Sequence, residues 1–244
     1  SKLDFSAYKY ILVDSTQLLR GYGISALVTI VGTIVNLIFT TLFAYPLSRK
    51  DLPGKNIIAF FLFFTMLFNG GLVPSYIMWT QNFHIKNTIW ALIVPNLLMG
   101  AFNVIMMRTY FTGNIPEEVI DAARIDGSGE GGILLRIVVP MAKPIISTLA
   151  LLVGLGYWND WLNGMYYLTE PKYFSIQNLL NKMLNNVNFL ATNSTVASQA
   201  GNVSIPSITI RMAIAMVGIL PIIIIYPFLQ KYFVKGITLG AVKG

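Results

Sequence analysis

The run from Asn114 to Gly127 reads Asn-Ile-Pro-Glu-Glu-Val-Ile-Asp-Ala-Ala-Arg-Ile-Asp-Gly. Its carboxylates at Glu117, Glu118 and Asp121 fall where the positive end of a helix dipole favours negative charge. Asn114 is placed to cap, Glu117 follows it by three residues, and Pro116 has a φ suited to a first turn. Gly127 and Gly129 supply a stop. This predicts a helix of about three turns, too short to cross a bilayer. Ile115, Val119 and Ala122 share one face, with Ala123 beside them. A short, partly apolar, acidic helix of this kind rests on lipid or plugs into a partner's groove. Its chemistry is recognition.

Reaction chemistry lacks its parts. The chain has one histidine, His84, and no cysteine, so a His-based metal site, a Ser-His pair and thiol catalysis are excluded. No HExxH, GxSxG or GxxxxGK[ST] pattern occurs, which removes the zinc hydrolase, serine hydrolase and P-loop classes. No catalytic residue and no metal ligand is expected.

The elements that position the acidic run are apolar. Of 244 residues, 55% are hydrophobic and 11% charged, with a mean hydropathy of +0.65. A soluble domain carries about 25% charged residues. Here the apolar residues form blocks near the length of a membrane-spanning helix. The expected fold class is all-α, a polytopic membrane bundle forming a single transmembrane domain over 1–244, with five spans. They run over about 24–47, 56–79, 87–107, 137–158 and 208–229. Pro95, Pro140, Pro144 and Pro221 lie in or beside spans and permit kinks.

Charge orients the bundle. Arg49, Lys50 and Lys55 follow the first span, and Arg108, Arg124, Arg136 and Lys143 flank the loop over about 108–136. Lys231, Lys235 and Lys243 follow the last span. Short basic segments stay in the cytoplasm, so these loops and the C-terminus are expected there, with the loop over about 163–207 outside. The net charge of +7 is thereby explained by topology, and nucleic acid is not an expected partner. An outward N-terminus without a signal peptide leads to the expectation of a sixth span ahead of Ser1 in the native subunit. In the outer loop, residues 174–190 alternate apolar and Asn-rich positions at helical spacing. That amphipathic helix rests on the bilayer or on neighbouring spans, or it docks an external partner.

The acidic run resembles the EAA loop of permease subunits in binding-protein-dependent ABC importers. The family pattern is Glu-Ala-Ala, three residues, Gly, nine residues, Ile-x-Leu-Pro. Here it reads Asp121-Ala122-Ala123, three residues, Gly127, nine residues, Ile137-Val138-Val139-Pro140. Asp replaces Glu at 121 and Val replaces Leu at 139. The extended form from Ile115 to Gly127 is similar to the carbohydrate-uptake branch, Tyr45-Pro46-Leu47-Ser48-Arg49 to the cytoplasmic end of the family's second span, and the tail from Gln230 to Gly244 to the C-terminus of its maltose-type members. Tyr226-Pro227-Phe228-Leu229 is similar to a sub-branch for oligosaccharides released from polysaccharides.

The resemblance implies a type I importer permease of six spans in the bacterial cytoplasmic membrane. It implies ATPase coupling through Glu118, Asp121, Ala122, Ala123 and Gly127. Ala122 and Ala123 would pack closely, Asp121 would make a polar contact, and Gly127 would turn the loop back towards Pro140. The implied partners are a second homologous permease, an ABC ATPase dimer that binds the ATP and Mg, an extracytoplasmic solute-binding protein and an oligosaccharide. A sugar path calls for neutral polar groups and aromatic faces, and Tyr157, Trp158, Asn159, Asp160 and Trp161 supply them. The same residues suit an interfacial aromatic belt. Arg211 is placed to pair with Asp160 or to meet an acidic substrate group. A secondary transporter would need intramembrane carboxylates, and Asp160 alone stands near a span, at its edge.

Overall fold

The computed structural model describes residues 15–192 and 210–224, and among them every regular element is helical. Helix α1, Ser15–Ser48, is 34 residues long. At about 1.5 Å per residue it reaches roughly 50 Å, more than the hydrocarbon core needs. It is the one described helix long and apolar enough to cross a membrane by itself. Its exposed side carries Ile30, Ile34, Ile38 and Leu42. Helix α2, Lys55–Leu67, exposes Phe60, Phe61, Phe63 and Phe64. An apolar surface this continuous needs lipid or a protein partner over it.

The five expected spans are not five straight helices. α2 is followed by α3, Leu72–Ile77, which continues through a π-type turn at Met78–Asn82. The two halves meet at 109°, and Gly71 at the bend has a φ of 88°. A left-handed backbone is open to glycine at little cost, so the chain breaks there. The expected third span divides into α4, Trp90–Ile93, and α5, Ala101–Asn114. Pro95 and Asn96, the latter at φ 63°, lie in the break. After α6, Glu117–Ile125, come α7, Glu130–Ile133, and α8, Val139–Met141, joined by a π-type turn. This unit bends by 80° into α9, Lys143–Asn159, in the stretch between Pro140 and Pro144. Next come α10, Leu162–Tyr167, and α11, Ile176–Thr192. The last described helix, α12, spans Ile210–Ile224 and continues through Pro221. The expected C-terminal tail and residues 193–209 lie outside the described residues.

The break before α5 frees carbonyls that lipid would leave unpaired. Three neutral side chains take them. Tyr157 Oη donates to Ile93 O at 2.9 Å, Asn163 Nδ2 to Pro95 O at 3.0 Å, and Asn36 Nδ2 to Leu97 O at 2.7 Å. Asn36 lies twelve residues before the end of α1, about 18 Å along the helix and so near the bilayer midplane.

α1 is the axis of packing, with α9 and α5 against it. Gly32 makes the contact with α9 possible, because a Cβ there would meet the Tyr157 ring at 2.5 Å. The C-terminal end of α1 has its own core, in which Ala44, Tyr45 and Leu47 join Ile120, Ala123, Leu134 and Val138. At the N-terminal end of α1, Leu18, Trp158, Ile176, Leu180 and Val187 pack with Ile210, Ala213 and Ile214. The apolar side of α11 therefore lies on neighbouring helices of this chain, the second half of the sequence expectation. The helix runs over 176–192, shifted two residues towards the C-terminus from the expected 174–190.

Candidate coupling interface and outer groove

α6 forms where the acidic run predicted a helix, but its start differs from expectation. Asn114 does not cap it; Asn114 ends α5 and donates from Nδ2 to Tyr110 O at 3.1 Å. Pro116, extended at φ −61° and ψ 136°, is the flanking residue, and no side chain caps the helix. The charges compensate: Glu117 and Glu118 occupy the first turn and Arg124 the last, each favourable to the dipole. The end is a Schellman arrangement. Ser128 N donates to Ala123 O at 2.9 Å, and Gly127 N to Arg124 O at 3.0 Å. Gly127 adopts φ 79° in open space, so its requirement for glycine is backbone conformation and not crowding.

The expected apolar stripe divides between two faces. Ile115, Ile120 and Ala123 are buried in the core at the C-terminal end of α1. Glu118, Val119, Asp121, Ala122, Ile125 and Asp126 are exposed. Val119 and Ala122 thus leave the face of Ile115, because one turn of α6 must seat Ile120 under Tyr45 and Leu47. Of the two alanines, Ala122 points outward and Ala123 inward. Ile125 is 87% exposed, an isoleucine left in the open beside two carboxylates.

Charged groups surround α6, and sequence reading assigned them only to topology. Lys50 pairs with Glu117. Arg124 Nη2 reaches Asp51 Oδ2 at 2.8 Å and Glu130 Oε1 at 2.6 Å, while its Nε donates to the same Glu130 oxygen at 2.9 Å. Glu130 also accepts from Tyr45 Oη on α1. The Lys50 ammonium holds the Glu117 carboxyl below its ordinary value, and the Arg124 guanidinium does the same for Asp51. Lys50 and Arg124 are shifted up by hydrogen bonds to their partners, Glu117 for the first and chiefly Glu130 for the second. Spacing along the sequence could not reveal these pairs, because Asp51 and Arg124 are 73 residues apart.

Among the outer residues, the structure separates anchors from accessible groups. Tyr157 is buried under Gly32, and Trp158 is buried with its Nε1 donating to Gly218 O at 3.2 Å. Both hold helices together. Asn159 and Trp161 are accessible and line a groove of about 430 Å³ with Gln177, Asn181, Leu184 and Ile214. Asp160 Oδ1 accepts from Asn163 N at 3.3 Å, and its buried Oδ2 lacks a partner. No ion pair joins Asp160 to Arg211, which is exposed on α12. Gln177 and Asn181 come from α11 and add two neutral amides that the sequence did not single out; their polar positions on an amphipathic helix were the available signal. No group of three or more His, Cys, Asp or Glu able to hold a metal occurs among the described residues.

The sequence of residues 28–239 matches the family described as binding-protein-dependent transport system inner membrane component. Protein LplC of Bacillus subtilis (strain 168) is 37% identical over 238 residues, covering 98% of this chain and 78% of the relative. The polygalacturonan/rhamnogalacturonan transport system permease protein YtcP of the same organism is 36% identical, covering 98% and 81%. Among solved structures, a chain of a bacterial ABC transporter involved in the import of the acidic polysaccharide alginate superposes with a TM-score of 0.80. It is 32% identical, with 96% of this chain and 81% of that chain covered.

Proposed function

The chain belongs to the inner membrane components of binding-protein-dependent transport systems, and from this we propose that it imports an oligosaccharide and takes its driving motion through the exposed face of α6. It is a permease subunit of an ABC importer. The observation that carries the coupling assignment is the two-sided character of α6. Ile120 and Ala123 fix one side in the core, while Ala122, Ile125 and Asp121 present a small, apolar and acidic surface to the cytoplasm. An exposed isoleucine on a rigid seat suits a partner's groove. Glu118, Asp121, Ala122 and Ile125 make that contact in this reading, and Gly127 holds the helix end in shape. Ala123 supports it from below.

The partner chains are an ATPase dimer that supplies ATP and Mg chemistry, a second permease that completes the pathway, and a solute-binding protein outside. The C-terminus lies in the cytoplasm. Relatives named for polygalacturonan and arabinooligosaccharides, and the alginate importer, support a sugar substrate. The outer groove has fitting chemistry, with Trp161 to face a ring and Asn159, Gln177 and Asn181 to meet hydroxyls. ATP binding moves α6 only if the ATPase contact favours one state of the bundle over the other.

Reconstitution with the ATPase, the second permease and the binding protein tests this reading. Gly127→Val is expected to leave the protein inserted and to reduce sugar uptake per ATP hydrolysed at least tenfold, since a β-branched residue resists φ 79° by about 1–3 kcal/mol. Uptake per ATP equal to that of the unaltered complex would remove the coupling role from this loop.

A further inference from the structure

The turn between α1 and α2 grips α6 at both ends. Lys50 holds Glu117 in the first turn of α6, and its neighbour Asp51 holds Arg124 in the last turn. The gripped positions are seven residues, about 10 Å, apart along the helix. The turn itself is braced. Lys55 Nζ donates to Arg49 O at 3.2 Å and Lys50 O at 3.5 Å, and Arg108 Nε donates to Leu47 O at 3.1 Å. The contacts then close on α1, since Arg124 also binds Glu130 and Glu130 accepts from Tyr45 Oη. Between the two grips, Ile120 and Ala123 share a core with Ala44, Tyr45 and Leu47.

We propose that Lys50, Asp51 and Arg124 are positioning residues of a two-point clamp that makes the cytoplasmic end of α1 follow α6. The proposal rests on α6 being the helix that the ATPase moves. One contact would act as a pivot, about which α6 could swing without moving α1. Two contacts at opposite ends remove that freedom, so a tilt of α6 becomes a displacement of the 49–54 turn. Motion then enters the longest span directly, in addition to the covalent route through α5 and α7. The Lys50 and Glu117 side chains are 79% and 35% exposed, and those of Arg124 and Asp51 35% and 54%. Exposed pairs add little stability, so their value lies in the geometry they fix. The other charges facing the clamp are Arg49, whose Nε is 3.8 Å from Asp51, and Asp121, whose Oδ1 is 4.0 Å from Arg124.

Charge exchange in the complete importer, with ATPase, second permease and binding protein, tests the clamp. Lys50→Glu and Glu117→Lys are each expected to retain the ATPase on purification and to lower uptake per ATP roughly threefold to tenfold. The double exchange restores the pair and is expected to return uptake to within about twofold of the unaltered complex. Asp51→Asn and Arg124→Gln should each give a loss of the same order. Unchanged uptake per ATP in the single variants, or a double exchange no better than the singles, would overturn the proposal. Loss of the ATPase from either single variant would also overturn it, by placing Lys50 or Glu117 in the ATPase contact. Failure of the coupling reading is a separate result: the unaltered chain would then purify without an ATPase.

Discussion

The two ends of the bundle are held by different forces. At the α6 end, exposed ion pairs surround a helix whose exposed face is bare: Lys50 with Glu117, and Arg124 with Asp51 and Glu130. Towards the α11 end, neutral donors reach buried carbonyls: Tyr157 to Ile93, Asn163 to Pro95, and Trp158 to Gly218. A buried carbonyl without a donor is costly in a medium without water, so the second kind of contact fixes one structure. Exposed ion pairs add little stability of their own, so the first kind sets the placement of α6 more than it holds the fold together. The molecule thus combines a half fixed by buried donors with an α6 end positioned by weak, exposed pairs.

Disrupting the rigid half should produce the largest effect. Gly32→Leu drives a side chain into the Tyr157 ring, and overpacking of this sort costs about 3 kcal/mol. The expected outcome is a marked loss of thermal stability in detergent and of protein in the membrane, measured by a thermal shift assay and by yield. Asn36→Leu comes next. It strips the donor from Leu97 O near the midplane, and about 1–3 kcal/mol of stability should be lost. Its retention of full stability would mean that another donor reaches that carbonyl. Tyr157→Phe keeps the ring over Gly32 and removes only the hydroxyl donated to Ile93 O, for a loss of about 1 kcal/mol.

Salt and pH sharpen the contrast at smaller magnitude. Raising ionic strength towards 1 M shortens the Debye length to about 3 Å. Uptake per ATP should then fall a few-fold through the cytoplasmic pairs, while thermal stability set by the outer anchors changes little. Asp51 and Glu117 have depressed carboxyl pKa values, so their contribution is complete above the ordinary range near 4 and is lost only as pH falls through the depressed values. Uptake per ATP should therefore stay level between about pH 5.5 and 8 as far as these two groups govern it. A step in that window traceable to Asp51→Asn or Glu117→Gln would contradict the assignment.

Much of this arrangement was legible in the sequence for local reasons. α1 followed from an unbroken apolar run, α6 from acidic residues at its start and glycine at its end, and α11 from helical spacing. What escaped was long-range. The break at Asn96 holds because Asn36 and Asn163 take the Leu97 and Pro95 carbonyls, each more than 60 residues from its donor, and sequence spacing does not show such partners. Ala122 and Ala123 are chemically alike, and only the seat of Ile120 decides which faces out. Tyr157 and Trp158 carry the same aromatic chemistry as Trp161, yet Gly32 and the Gly218 carbonyl draw the first two inside. Composition pointed to one stretch, and packing sorted its residues into buried anchors and accessible groups.

The most direct test uses the absence of cysteine from these 244 residues. Single Ala122→Cys and Ile125→Cys substitutions on the exposed face, with Ile120→Cys on the buried face, would be probed with a membrane-impermeant thiol reagent on inverted vesicles. With the ATPase absent, Ala122→Cys and Ile125→Cys should label readily and Ile120→Cys poorly. With the ATPase present, labelling at 122 and 125 should fall at least several-fold, as burial in a partner's groove requires. Equal labelling at 122 and 125 with and without the ATPase would contradict the claim that the outer face of α6 is where this permease receives its drive.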